Sequence, residues 1–276
     1  MATARSTNDL KFGQGKSLFA ITILVLLFLH IPILILIFYS FNDSRFASHW
    51  GGFSLKWYYK IIDDDSLWLA VRNTIQVAIV STIISTILGT LAAIGLHKFN
   101  FKFKDFFLNI LYLPIIIPEV VMGLSMLILF VLFAIPLGLM TVTIAHITFS
   151  ISFVVLIVLA RLQSFDMTLE EAGADLGATQ WQIFWKITFP NISSGIYAGA
   201  LLALTLSIDD FLISFFTTGP GSTTLPLKIY AMIKFGITPE INAVSTILLI
   251  STTLILYFVG YFMNKGKKEG SVFLEI

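Results

Sequence analysis

Residues 17–41 read SLFAITILVLLFLHIPILILIFYSF, a run with a single histidine and no Lys, Arg, Asp or Glu. A helix that crosses a bilayer needs about 20 mostly apolar residues, whereas a membrane β-strand alternates in segments of roughly ten. This run is long enough and does not alternate. Working outward, the same character returns at 69–96, 106–133, 139–160, 196–216 and 242–263. The expected fold class is an all-α membrane protein with six transmembrane helices, each able to cross with some tilt, in a single domain over 1–276.

Composition excludes the main alternatives. Among 276 residues, 57% are hydrophobic and 12% charged, with a mean hydropathy of +0.91. An ordinary soluble domain carries roughly a quarter charged residues, so the water-facing surface of a soluble globular enzyme cannot be assembled here. A net charge of +1 removes the electrostatic case for nucleic-acid binding. Zero cysteines exclude a disulfide framework, a thiolate zinc site and a cysteine nucleophile together.

The basic residues orient the spans. Arg5, Lys11, Lys16, Lys98, Lys102, Lys104, Arg161, Lys186, Lys265, Lys267 and Lys268 fall on one side, eleven of the 17. Arg45, Lys56, Lys60, Arg72, Lys228 and Lys234 fall on the other. The positive-inside bias places both termini in the cytoplasm. The first run is too long for a secretory h-region and lacks a small-x-small cleavage site, so it reads as a retained helix. In the outer segment 42–68, Trp50, Phe53, Trp57, Tyr58 and Tyr59 read as an interfacial belt. Asp63-Asp64-Asp65 lacks the further oxygen ligands and glycine spacing of a calcium loop and reads as a solvated turn. The outer segment 217–241 holds Thr-Thr-Gly-Pro-Gly, then Pro226 and Pro239. The apolar stretch between these prolines is too short to span, and is expected to dip into or lie on the outer face.

Three short patterns carry little. Gly15-Lys16-Ser17 resembles the end of a phosphate loop, but Leu10 stands where its first glycine belongs and no strand precedes it. His30 and His146 lie in apolar runs, where a satisfied buried histidine is the simpler reading. Asn42-Asp43-Ser44 and Asn191-Ile192-Ser193 fit a glycosylation pattern that arises often by chance.

The inside connection 161–191 is longer than a bundle linker needs to be. Thr168-Leu-Glu-Glu171 has the form of a capping box, with Gly177 suited to end that helix in a left-handed conformation. Thr179-Gln-Trp-Gln182 repeats the cap, and Pro190 is expected to stop the second helix. Leu169, Ala172, Leu176, Trp181, Phe184, Trp185 and Ile187 exceed what a solvated loop exposes, which marks a partner surface or packing beneath the chain's own bundle. A DNA-reading helix-turn-helix would need basic and amide side chains where these aromatics stand.

Glu171-Ala-Gly-Ala-Asp-Leu-Gly177, nine residues, then Ile187-Thr-Phe-Pro190 resembles the EAA motif of binding-protein-dependent ABC importer permeases. Gly173 replaces the motif's second Ala and Phe189 its Leu. The segments Phe41-Asn-Asp-Ser-Arg-Phe46, Leu206-Ser-Ile-Asp-Asp210, Thr218-Gly-Pro220, Leu225-Pro-Leu-Lys-Ile-Tyr230 and Pro239-Glu-Ile-Asn-Ala243 look like PotC-type permeases of spermidine/putrescine importers, so the resemblance extends over nearly the whole chain. It implies a type I importer permease of MetI-like architecture in a bacterial inner membrane, non-catalytic itself. It implies that 161–191 is a coupling loop whose Glu171, Ala172, Asp175, Gly177, Ile187 and Pro190 engage a cytoplasmic ATPase dimer. It also implies a paralogous PotB-type permease as heterodimer partner, a periplasmic polyamine-binding protein, and no cofactor in this chain, since ATP and Mg bind the ATPase.

Carboxylates within the runs offer a test from the residues themselves. Asp209 and Asp210 lie about 13 residues into the fifth run, roughly 20 Å at 1.5 Å per residue, and Glu119 sits at similar depth after Pro114 and Pro118. Facing lipid, each costs about 2.5–3.5 kcal/mol, so a wet path is the better home. Gly199, Ala203, Ser207, Asp210, Ser214 and Thr217 form one small, polar stripe at helical spacing, which turns Asp210 to the bundle interior or pore. Asp209, about 100° round, touches the path, holds a partner permease or the backbone, or is simply hydrated; Glu119 either lines the path or caps a broken helix. Phe211 and Phe215 offer ring faces to a cation. The stripe Thr74, Ala78, Ser81, Ser85, Gly89, Ala92 reads as close helix packing. A permease for another solute remains the first alternative, although an anion would call for basic groups or helix N-termini at the midplane. An ion-coupled secondary transporter is the second, and it would normally show an internal repeat.

Overall fold

The structure, a computed structural model, describes residues 12–44, 49–234 and 238–272. Arg5, Lys11, Arg45 and Phe46, used above for charge and resemblance, lie outside the described residues. The described residues fall into two compact units, one within Met1–Asp63 and Ile233–Leu249, the other within Asp64–Met232 and Ile250–Ile276. Among them the regular structure is all helical.

In the first unit α1 (Phe12–Tyr39) is followed by α2 (Lys56–Ile62). The second unit begins with α3 (Asp65–Lys98), α4 (Lys104–Ile116), α5 (Glu119–Leu132) and α6 (Leu139–Gln163). It continues with α7 (Thr168–Asp175), α8 (Gln180–Ile183), a π turn (Phe184–Thr188), α9 (Phe189–Asp209), α10 (Leu212–Thr217) and all but the last two residues of α11 (Leu225–Lys234). The last helix, α12 (Pro239–Val272), has residues in both units. Among the described residues five helices are long and apolar enough to cross a membrane, or six if the bent pair α4–α5 counts as one span.

Helices α3, α6 and α9 pack on one another around Ala93, Val154, Val155, Val158, Leu162, Ile192 and Ala203. Thr74, Ala78, Ser81, Ser85 and Gly89 are buried in this contact, as expected where small residues let backbones approach. The acidic triplet has a local role: Asp64 Oδ1 accepts from the N–H groups of Ser66 (2.9 Å) and Leu67 (3.1 Å) and so caps α3.

The third run is not one straight crossing. α4 and α5 meet at 111°, because Pro118 has no N–H to continue the ladder and forces Ile117 into an extended conformation (φ −73°, ψ 133°). The fifth run divides as well, with Asp210 extended (φ −65°, ψ 124°) between α9 and α10.

The aromatic belt of 42–68 is also divided. Trp50, Phe53 and Tyr59 are exposed, but Trp57 is buried and donates its Nε1–H to the Asn42 carbonyl at 2.7 Å. Tyr58 meets Ser40 through its hydroxyl at 2.7 Å. Asn42 organises this segment, its Oδ1 accepting from the N–H groups of Ser44 and Gly51. The short apolar stretch before Pro239 contains α11, whose first residue Leu225 donates its N–H to Thr74 Oγ1 at 2.7 Å. Asn73 holds the preceding turn through the carbonyls of Gly221 and Thr223, both at 3.0 Å.

Candidate functional site

The loop 161–191 folds as a helical pair with a corrected cap and a corrected end. Thr168 does not form the expected box with Glu171. Asp166 takes that role, its Oδ1 accepting from the Thr168 N–H (3.0 Å) and hydroxyl (2.8 Å). The Thr168 hydroxyl and N–H hold the Asp166 carboxyl below the usual aspartate range. α7 closes as expected at Gly177, which is left-handed (φ +82°). Gly177 N–H bonds the Ala174 carbonyl at 2.9 Å and Ala178 N–H the Gly173 carbonyl at 3.0 Å, a Schellman closure. Thr179 and Gln182 form the expected capping box.

Pro190 does not stop the second helix. α8 runs through the π turn into α9, giving a continuous Gln180–Asp209 segment. Pro190 follows directly on the π turn, whose wider i→i+5 bonding already departs from the α ladder that a proline breaks. The Phe189 N–H reaches the Phe184 carbonyl across the π turn.

Part of the loop packs on its own chain and part faces out. Ile183, Thr188 and Gly173 are buried. A Cβ on Gly173 would lie 2.6 Å from Ile187 Cδ1, so the motif's glycine for alanine lets α7 settle on the π turn. Leu176 is 89% exposed and Trp181 70%. Glu171, Ala172, Asp175 and Pro190 are exposed as well, while Ile187 is half-buried. Trp181, Trp185, Phe184 and Phe189 form a ladder of tilted and edge-to-face contacts with centroids 5.1–6.3 Å apart.

The break in the fifth span is a polar node. The Asp210 side chain is only 5% exposed, and its Oδ2 lies 3.2 Å from His146 Nε2. Its oxygens also accept from the N–H groups of Ile213 (3.2 Å) and Ser214 (2.7 Å), capping α10. His146 Nε2 also lies 3.1 Å from Ser214 Oγ. His146 Nδ1 meets Ser207 Oγ at 2.7 Å, and Ser207 lies 3.2 Å from Ser81 of α3. His146 is thus buried and satisfied. His30 is hydrogen-bonded to the Leu26 carbonyl at 2.7 Å but exposed, so the expectation of burial fails there.

Asp209, one residue away, is exposed, and its carboxylate has no hydrogen-bond partner among the described residues. Phe211 stands against Tyr230 of α11 at 4.5 Å, and Phe215 completes the group at 5.6 Å from Phe211 and 6.4 Å from Tyr230. Glu119, also exposed, is the first residue of α5, where the helix dipole favours negative charge. The polar stripe Gly199, Ala203, Ser207, Ser214, Thr217 is buried. Of the two orientations open to Asp210, it therefore takes the bundle interior. Sequence reasoning missed Tyr230, contributed from a separate helix, and the partnership of His146 with Asp210, which are 64 positions apart by numbering.

Comparison with known proteins places this architecture. Residues 85–266 match the model of the binding-protein-dependent transport system inner membrane component family. The chain is 41% identical over 244 residues to the spermidine/putrescine transport system permease protein PotC of Escherichia coli K12, covering 88% of this chain and 92% of that one. It is 38% identical over 269 residues to the putrescine transport system permease protein PotI of the same strain, covering 95% and 96%. A crystal structure of a bacterial ABC transporter for the acidic polysaccharide alginate superposes with a TM-score of 0.70 at 16% identity, covering 95% of this chain and 99% of that one, which shows a shared fold. The matched region takes in both the helical loop and the broken fifth span, and the chain belongs to the binding-protein-dependent transport system inner membrane component family.

Proposed function

We propose that the chain is a PotC-like permease subunit of an ATP-driven importer whose cargo is spermidine or putrescine. Both termini lie in the cytoplasm. The chain is non-catalytic and pairs with a paralogous PotB-type permease. A periplasmic polyamine-binding protein delivers the cargo, and a cytoplasmic ATPase dimer that binds ATP and Mg docks on the loop 161–191 through Glu171, Ala172, Asp175, Gly177, Ile187 and Pro190. The exposed apolar surface of Leu176 and Trp181 beside these residues supports a protein partner there.

One observation carries the cargo reading. Asp209 is an exposed carboxylate, without a partner among the described residues, at a break within an apolar span, followed by the Phe211–Tyr230–Phe215 group. A chain of ammonium groups matches an anionic group and ring faces in series, each ring face worth about 0.5–2 kcal/mol. The substrate path we assign comprises Asp209, Phe211 and Phe215, with Glu119 as a second carboxylate and Asp210 shaping the break. The relatives named for polyamine transport support the same class.

The test is ATPase stimulation in the reconstituted complex. Binding protein loaded with spermidine or putrescine should raise hydrolysis, and sulfate- or sugar-loaded binding proteins should not. Stimulation by one of the latter, with none from polyamine, removes the cargo reading while leaving the permease in place.

A further inference from the structure

Three elements converge on one carboxylate behind the docking loop. Glu170, in the first turn of α7, places both oxygens on Lys98 Nζ, at 2.8 and 2.6 Å. Lys98 is the last residue of α3, and Thr188, the last residue of the π turn before α9, donates its hydroxyl to Glu170 Oε1. The contact is sheltered, with the Glu170 side chain 12% exposed and that of Lys98 22%, while Thr188 is fully buried. An ion pair so enclosed, with a hydroxyl on the same carboxylate, resists sliding far more than an exposed pair does. Steric contact reinforces it, since Gly173 brings α7 against Ile187 of the same π turn.

We infer that Lys98, Glu170 and Thr188 form the joint that carries movement of the docking loop into the second and fifth spans. Glu170 is the hub. Glu171, beside it, faces outward, so adjacent carboxylates divide the work: the outer one meets the partner and the inner one grips α3 and α9. The π turn suits this place, because its extra residue leaves the helix able to change register between docking loop and span. Lys98 and Thr188 are positioning residues. They touch neither cargo nor nucleotide, and act by keeping α7 in step with α3 and α9, whose Ser81 and Ser207 lead to His146 at the polar node.

The inference rests on the ATP-driven importer reading, and the experiment separates the two. The complete complex, with partner permease, ATPase dimer and binding protein, is reconstituted with wild type, Glu170→Gln, Lys98→Met, Thr188→Val and the exchanged pair Lys98→Glu/Glu170→Lys. Each is scored for cargo moved per ATP hydrolysed and for ATPase retained on the purified complex. Glu170→Gln and Lys98→Met should lower cargo per ATP about tenfold, within the usual span of coupling between sites, with the ATPase still bound and hydrolysing. Thr188→Val should act in the same direction but less, and the exchanged pair should recover most of the ratio. Unchanged cargo per ATP in Glu170→Gln and Lys98→Met, or equal loss of uptake and bound ATPase in both, overturns the joint. Absence of ATP-dependent uptake in the wild-type complex instead overturns the importer reading itself.

Discussion

Asp209 and Asp210 are neighbours in sequence and opposites in environment. Asp210 is enclosed, with His146 and two backbone amides on its oxygens, so Asp210→Asn should lower both the yield of assembled complex and uptake. Asp209→Asn should leave assembly intact and cut uptake about tenfold or more, as expected when one charged contact worth about 1.4 kcal/mol or more is lost. Uptake and complex yield, measured on the same preparations, distinguish them. His146→Ala strips a partner from buried Ser207, Ser214 and Asp210, and should cost about 2 kcal/mol of stability, read as a lower melting temperature in detergent. At Gly177 a Cβ would meet nothing within 4 Å, so only its φ of +82° is restrictive. Gly177→Val should therefore weaken ATPase co-purification, whereas Gly177→Asn, compatible with that conformation, should retain it.

At the level of elements, the helix starts depend on carboxylates. Burial raises the Asp64 carboxyl, but the Ser66 hydroxyl, the Leu67 N–H, Lys228 and the Ser66 N–H outweigh it and leave it below the ordinary aspartate range. A carboxyl depressed in the folded state stabilises fully above the ordinary aspartate pKa, and the benefit disappears as pH falls through the depressed value. Amide exchange at Ser66 and Leu67 should accelerate across that acidic window, and Asp64→Asn, which keeps an acceptor but no charge, should flatten the response. The breaks in the helices were unequally legible. Pro118 announces the one in the third span. Nothing between Leu206 and Thr217 does the same for the fifth, since it contains neither Pro nor Gly; the pair Asp209-Asp210 was the sole signal, and its consequence depended on His146 from another helix. Pro190 misled because a π turn directly before it carries the helix past a proline, and the aromatic spacing of Trp181, Phe184, Trp185 and Phe189 suits an α-helix as well as a π turn.

Over the whole molecule, the apolar runs and the glycine-punctuated loop could be read directly, because bilayer thickness and capping chemistry act on consecutive residues. The clamp of Lys98 on Glu170 could not, since 72 positions separate them. The central claim is that this chain, within such a complex, conducts polyamines at the expense of ATP. Uptake of labelled spermidine into proteoliposomes tests it most directly, using this chain with its partner permease, ATPase dimer and binding protein. The account predicts uptake that requires ATP and the binding protein and falls about tenfold or more in Asp209→Asn. Uptake by the purified chain alone without ATP, or full uptake in Asp209→Asn, would contradict it.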